Sequence, residues 1–259
     1  MKKLSGAKAL NVIFALCSVG VVLIIWIIAY CAVANDYVVP SVGDSFAALW
    51  QCFGQKSFWT AFLNTSLRTL YAFCVSFALA AVFAAISSVC NPFKRIFAGI
   101  ISVVRTIPTM AVTLMLLIWT NPKVAPVIVT CLVLFPMIYS QFIAAIDGVD
   151  ENLLQMAKVY EIGAAKKLTK IYLPQVAPNV LAQAGADISF GIKLTVSAEV
   201  LSYTAKSLGG AMQQARLYVE MPTFVALTIV CIAFGLIAEA LFANLGYLTY
   251  RWRKKEGSV

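Results

Sequence analysis

Long apolar blocks, each closed by polar residues, glycine or proline, recur along the chain at about 10–34, 63–89, 97–119, 124–145, 177–201 and 223–249. A helix of about 20 apolar residues crosses the hydrocarbon core of a bilayer. Within that core only helices and closed barrels satisfy their own backbone. The blocks show none of the ten-residue alternation of barrel strands. The pattern predicts an all-α integral membrane protein with six transmembrane helices. Four crossings would strand apolar runs in water, and eight would need spans that are too short.

Two connections are long. The one over about 35–62 holds Pro40-Ser41-Val42-Gly43-Asp44 with Trp50 and Trp59, and reads as a loop containing a short interfacial helix. The other covers about 146–176. Four segments follow: an N-terminal transmembrane helix over 1–36, an extracellular loop over 37–62, a core of five transmembrane helices over 63–249 and a basic cytoplasmic tail over 250–259.

Charge fixes the orientation. Charged residues are 12% of the chain and hydrophobic ones 61%, with a formal charge of +9. On a soluble protein that excess would point to nucleic acid, but here it anchors loops. Thirteen of the 20 basic residues fall on the side of the termini and the 146–176 loop, four on the other side, and Arg68, Arg105 and Lys193 inside blocks. Basic residues favour the cytoplasm, so both termini are expected there and the number of crossings is even. The N-terminal block is too long for a signal-peptide core and is expected to be retained. With no histidine there is no His-based catalysis, and the commonest metal ligand is missing. The seven cysteines form no CxxC pair and read as small helix residues. Neither metal nor cofactor is expected.

The 146–176 loop carries a small two-faced helix. Gly148 can end the incoming helix, Asp150 is a good N-cap and Glu151 suits the positive end of a new helix. Leu153, Leu154, Ala157 and Tyr160 then recur at three- and four-residue intervals and form one apolar face, before Gly163 interrupts it. The basic stretch from Ala164 to Leu173 is expected to end at Pro174. Such a helix could lie on lipid or fit a groove on a soluble partner.

The same segment resembles the cytoplasmic loop of ABC importer permeases, whose pattern is roughly E-A-A, three residues, G, then about a dozen residues and L-P. Gln155-Met156-Ala157 stands at the E-A-A, Leu173-Pro174 at the end, and Glu161 at the usual glycine. Arg105-Thr106-Ile107-Pro108-Thr109-Met110-Ala111 resembles the R-x-x-P-x-x-A stretch of those permeases. Ser66 with Arg68, Phe135-Pro136, and Lys193 with Ala198-Glu199 match as well. The nearest subgroup resembles permeases for nitrate, sulfonates and taurine. The resemblance implies a type-I importer permease fold that pairs with a second, identical copy. It also implies ABC ATPase subunits on the cytoplasmic face and an extracytoplasmic substrate-binding protein outside. It places Glu151, Leu153, Leu154, Ala157, Lys158, Tyr160, Glu161, Gly163 and Pro174 at the ATPase contact. The chain has no G-x-x-x-x-G-K-[ST] phosphate loop, so it is not itself expected to hydrolyse ATP.

Ionisable residues inside a bilayer cost about 2.5–3.5 kcal/mol on insertion scales, and they face the bundle interior or a polar cavity. Arg105, followed by the helix-kinking Pro108, and Asp187, Lys193 and Glu199 are therefore expected to pair between helices or to line a pathway. Asp187 with Arg105 is one candidate pair, and Lys193 is the best pathway cation for an anionic substrate. The segment 202–222, with Ser207 as a possible cap, suits an outer gate or a docking face. The alternative is an ion-coupled secondary transporter, but no internal repeat of that class is visible. A two-aspartate intramembrane protease would need a partner for Asp187.

Overall fold

The computed structural model describes the backbone of residues 2–256, and side chains at position 14, from 17 to 163 and from 166 to 242. Every regular element in it is helical. Helix α1 (Lys2–Val33) exposes most of its apolar side chains from Val19 to Ile28, with Leu23 and Trp26 half-buried. A hydrogen bond from Trp26 Nε1 to the Pro40 carbonyl (3.1 Å) ties its end to the next segment. Helix α2 (Val42–Phe53) lies where the interfacial helix was expected. Ser41 caps it by accepting from the Asp44 amide, and Gly54 closes it.

Helix α3 (Lys56–Val89) starts inside the stretch read as loop, because neither glycine nor proline stands between Lys56 and residue 63. The third apolar block is two helices rather than one continuous helix. Helix α4 (Asn91–Thr106) and α5 (Thr109–Trp119) are bent by 89° across Ile107 and Pro108. Ile107 is extended (φ −71°, ψ 125°), as the residue before a proline is biased to be. Pro108 cannot donate to the ladder, so the break is complete.

Helix α6 (Ala125–Asp147) ends on Gly148, as expected. Helix α7 (Glu151–Val159) follows, with Asp150 accepting from the Asn152 amide at its start. Helix α8 (Ala164–Lys167) runs through a π turn (Leu168–Tyr172) into α9 (Leu173–Leu201). The expected stop at Pro174 is absent. Pro174 sits in the first turn of α9, after a wide turn whose Leu173 amide bonds to Leu168 O, where a missing N–H is tolerated.

The glycines of α9 do not loosen it. They let neighbours approach: a Cβ on Gly185 would lie 2.8 Å from the Glu239 carbonyl, and one on Gly191 would lie 3.1 Å from Leu134 Cδ1. Helix α10 (Leu208–Leu217) is capped by Ser207, which accepts from the Gly210 amide. Helix α11 (Met221–Glu256) carries the chain into the basic tail, whose last positions, 257–259, lie outside the described residues.

Helix α9 is the hub, packed against α11, α6, α3 and α10. Leu134, Ile138, Ile192 and Leu208 are fully buried around it. Three described helices are long and apolar enough to cross a membrane alone (Lys56–Val89, Ala125–Asp147, Met221–Phe242), and the bent α4–α5 pair makes a fourth if it is one span. The bundle has two ends, one carrying α7 and the other α10.

Candidate functional site

At the α7 end the loop is held by a small cluster of its own. Ala157 is 2% exposed and packs with Val149, Ile171, Val176 and Val180, backed by Leu154, Ile162, Phe77 and Phe142. The expected single apolar face is therefore two. Leu154 and Ala157 turn toward the bundle. Leu153, Met156, Val159 (79% exposed) and Tyr160 (74% exposed) turn away from it. Glu151, Lys158, Glu161 and Gly163 are exposed beside them, and Pro174 is exposed at the start of α9. An outward row of Leu, Met, Val and Tyr on a helix capped at both ends suits a protein groove.

The end of α7 explains the departure at Glu161. The Ile162 amide bonds to Ala157 O (2.9 Å) and the Glu161 amide to Lys158 O (3.2 Å), the paired closure of a Schellman motif. That closure needs a left-handed residue after the cap, and Glu161 has φ 48°. The backbone is the one a glycine would adopt, held here by a residue that has a Cβ. Val219 closes α10 with the same pair of bonds, Tyr203 (φ 50°) follows α9 where the Thr204 amide reaches Glu199 O (3.2 Å), and among the described residues no glycine has positive φ. The left-handed region costs an L-residue about 1–2 kcal/mol, and glycine's freedom in the unfolded chain returns roughly 0.4–1. Glu161→Gly is therefore expected to stabilise this turn by about 0.5 kcal/mol, read as slower hydrogen exchange at the Ile162 amide.

At the α10 end a charged pair is buried. Arg68 Nη1 on α3 meets Glu199 Oε1 on α9 at 2.8 Å, and Glu199 is fully buried. Glu199 Oε2 also accepts from Thr65 Oγ1 (2.9 Å) and from the Gly209 amide (3.2 Å). Thr65 Oγ1 in turn accepts from the Leu208 amide. One carboxylate thus joins α3, α9 and the start of α10. Sequence reasoning singled out both Arg68 and Glu199 without pairing them. The signal was two opposite charges in apolar blocks, each near the same face of the membrane.

The expected pair of Asp187 with Arg105 does not form. Asp187, fully buried on α9, accepts from Gln141 Nε2 of α6 at 2.8 Å. Asp187 Oδ2 and Gln141 Oε1 have no partner. Arg105 lies on the other flank of α6, where Nη2 donates to the Pro136 carbonyl (3.0 Å) and to Ser140 Oγ (2.6 Å). Each charge is engaged by α6 instead, Asp187 through Gln141 and Arg105 through Pro136 and Ser140. Lys193 is exposed on α9.

Clefts open on this frame among the described residues. The larger, about 750 Å³, lies at the α10 end, where Gln55, Thr60, Lys206, Gln214, Tyr218 and Glu220 are among its walls. The smaller, about 310 Å³, lies at the α4–α5 break beside Arg105, Pro136 and Phe190.

Residues 76–246, more than half of the chain, match the family described as binding-protein-dependent transport system inner membrane component. The chain belongs to that family. It is a multi-pass protein of the bacterial plasma membrane. A relative in Bacillus subtilis (strain 168), named for aliphatic sulfonates transport as the permease protein SsuC, is 26% identical over 156 residues. The match covers 59% of this chain and 55% of that relative, so the chain spans about half the length of the relative.

Solved structures share the fold. An amino acid ABC transporter with histidines matches with a TM-score of 0.60 at 18% identity, over 75% of this chain and 93% of that one. The inward-facing MetNI methionine ABC transporter matches at 0.62 and 12%, over 74% and 93%. A bacterial alginate ABC transporter, solved with an alginate pentasaccharide-bound periplasmic protein, matches at 0.60 and 13%, over 74% and 79%. At these identities the likeness is one of fold.

Proposed function

We propose that the chain is the membrane-spanning permease subunit of an ATP-driven importer, moving a small solute delivered by an extracytoplasmic binding protein. The observation that carries this reading is α7, a short helix anchored through Ala157 that offers Leu153, Met156, Val159 and Tyr160 to a partner. The family and its ABC transporter fold neighbours support it. Helix α9 is surrounded by spans and α1 ends in an apolar run from Cys17 to Val33, which favours six crossings with both termini inside. A second, identical copy would complete the pathway, and the 750 Å³ cleft would face the binding protein. The sulfonate-named relative favours a small anionic solute such as a sulfonate, taurine or nitrate.

In this mechanism no bond is made or broken in the chain itself. ATPase subunits close on ATP and move α7. Helix α7 is tied through Ile171 and Val176 to the start of α9, so the motion passes into the bundle and alternates access. ATP hydrolysis belongs to those subunits.

The test is Tyr160→Asp in the assembled transporter, in vesicles. Losing an exposed aromatic anchor costs about 2 kcal/mol or more at an interface, so ATPase retention and ATP-dependent uptake are expected to fall at least roughly tenfold. The amount of folded permease is expected to be unchanged. Normal ATPase capture by the variant would defeat the reading. Ala157→Arg does not serve, because Ala157 is buried and arginine there would dislodge α7 from its own support.

A further inference from the structure

The cleft at the α4–α5 break combines a cation without a counter-ion and a largely apolar wall. Its volume of about 310 Å³ lies within the range of small-molecule sites. Val104, Val133, Met137 and Phe190 line it with Arg105 and Thr109. Two bonds from Arg105 Nη2, to Pro136 O and Ser140 Oγ, aim the guanidinium. Its remaining donors have no protein partner among the described residues, and no described carboxylate pairs with it. Arg68 differs, since Glu199 neutralises it. Lys193, the cation expected on the pathway, lines neither described cleft.

The 89° break supplies the remaining polarity. It brings Thr109 and the first turn of α5 to the cleft, and Pro108 at the cap contributes no side-chain acceptor there. The opening amides of α5 have no intrahelical acceptor. With both Nη2 hydrogens engaged, the Nη1 and Nε hydrogens remain to donate charge-assisted bonds to an oxyanion, and the Val104, Met137 and Phe190 wall suits a short apolar tail.

We propose that this cleft is an organic-anion subsite, in which Arg105 and the Thr109 end of α5 take the head group of a short alkanesulfonate and the apolar wall takes its chain. This specifies the solute class of the importer reading and rests on it.

The test is thiol labelling of Met137→Cys in the assembled transporter, with the native cysteines replaced and the labelled peptide read by mass spectrometry. The probes are a sulfonate-bearing and a trimethylammonium-bearing methanethiosulfonate, with ethanesulfonate as competitor. A charged cleft raises the local concentration of its counter-ion at least roughly tenfold. Relative to each reagent's rate with a free thiol, the anionic reagent is therefore expected to react about tenfold faster than the cationic one. Arg105→Gln is expected to bring that ratio near one, and Arg105→Lys to keep part of it. Ethanesulfonate is expected to slow labelling of the parent and not of Arg105→Gln. An unchanged ratio in Arg105→Gln would overturn the proposal. So would a charge-dependent ratio with no ethanesulfonate protection, which would leave only a general attraction for anions. Labelling needs no ATP. A failure of the importer reading would instead appear as absent ATP-dependent uptake with the labelling pattern intact.

Discussion

Glu199→Ala is expected to cost the folded bundle about 3–5 kcal/mol, the range for removing one partner of a buried ion pair. The substitution leaves Arg68 without its carboxylate, and it deprives the Thr65 hydroxyl and the Gly209 amide of their acceptor. The measurement is the fraction of detergent-solubilised protein that survives graded heating and still elutes as a folded species. Arg68→Ala alone should fall in the same range. The double variant should lose less than the sum, because its second change removes a charge already stranded. A double variant that loses the full sum would mean that the two residues act independently and that the pair does not join α3 to α9.

The second large effect lies one turn away. At Gly209 an added Cβ would stand 2.5 Å from Glu199 Cβ and 2.5 Å from the Val196 carbonyl, and at Gly210 it would stand 2.1 Å from the Thr204 carbonyl. Two of these three neighbours are backbone and cannot swing aside. Gly209→Ala and Gly210→Ala are expected to lift α10 off α9 and to cost about 3 kcal/mol each, the upper end of overpacking. Gly99→Ala is the control. Nothing lies within 4 Å of its Cβ position, and alanine suits a helix better than glycine by up to about 1 kcal/mol, so heating should show no loss. Equal losses at Gly99 and Gly210 would remove close approach as the cause.

Punctuation in the sequence was the readable part. Gly148, Asp150, Ser207 and the Ser41 region each act through neighbours a few residues away, so caps and element existence followed from local chemistry. The orientation of charges was not readable. Asp187 and Arg105 are both polar residues in apolar blocks, and nothing in a helical period says that each will bond to a different group of α6. The break at Pro108 was visible as a kink, but its 89° depends on how α5 packs against α6 and α9. The left-handed closures at Glu161, Tyr203 and Val219 were hidden for another reason. The usual marker of such a turn is glycine, and in this chain the surrounding hydrogen bonds impose the conformation on residues that disfavour it.

The two ends of the bundle are secured by unequal means. A buried carboxylate and a tight glycine seam fasten one end, while an apolar cluster around Ala157, with an exposed Lys94–Asp147 pair beside it, holds the other. Dispersion contacts let surfaces slide, whereas an ion pair shielded from water holds its direction. A force delivered at the compliant end must therefore be taken up as tilt about the fastened one. Under the proposed function, displacement would then grow with distance from Glu199, and the α7 end would travel further than the α10 end.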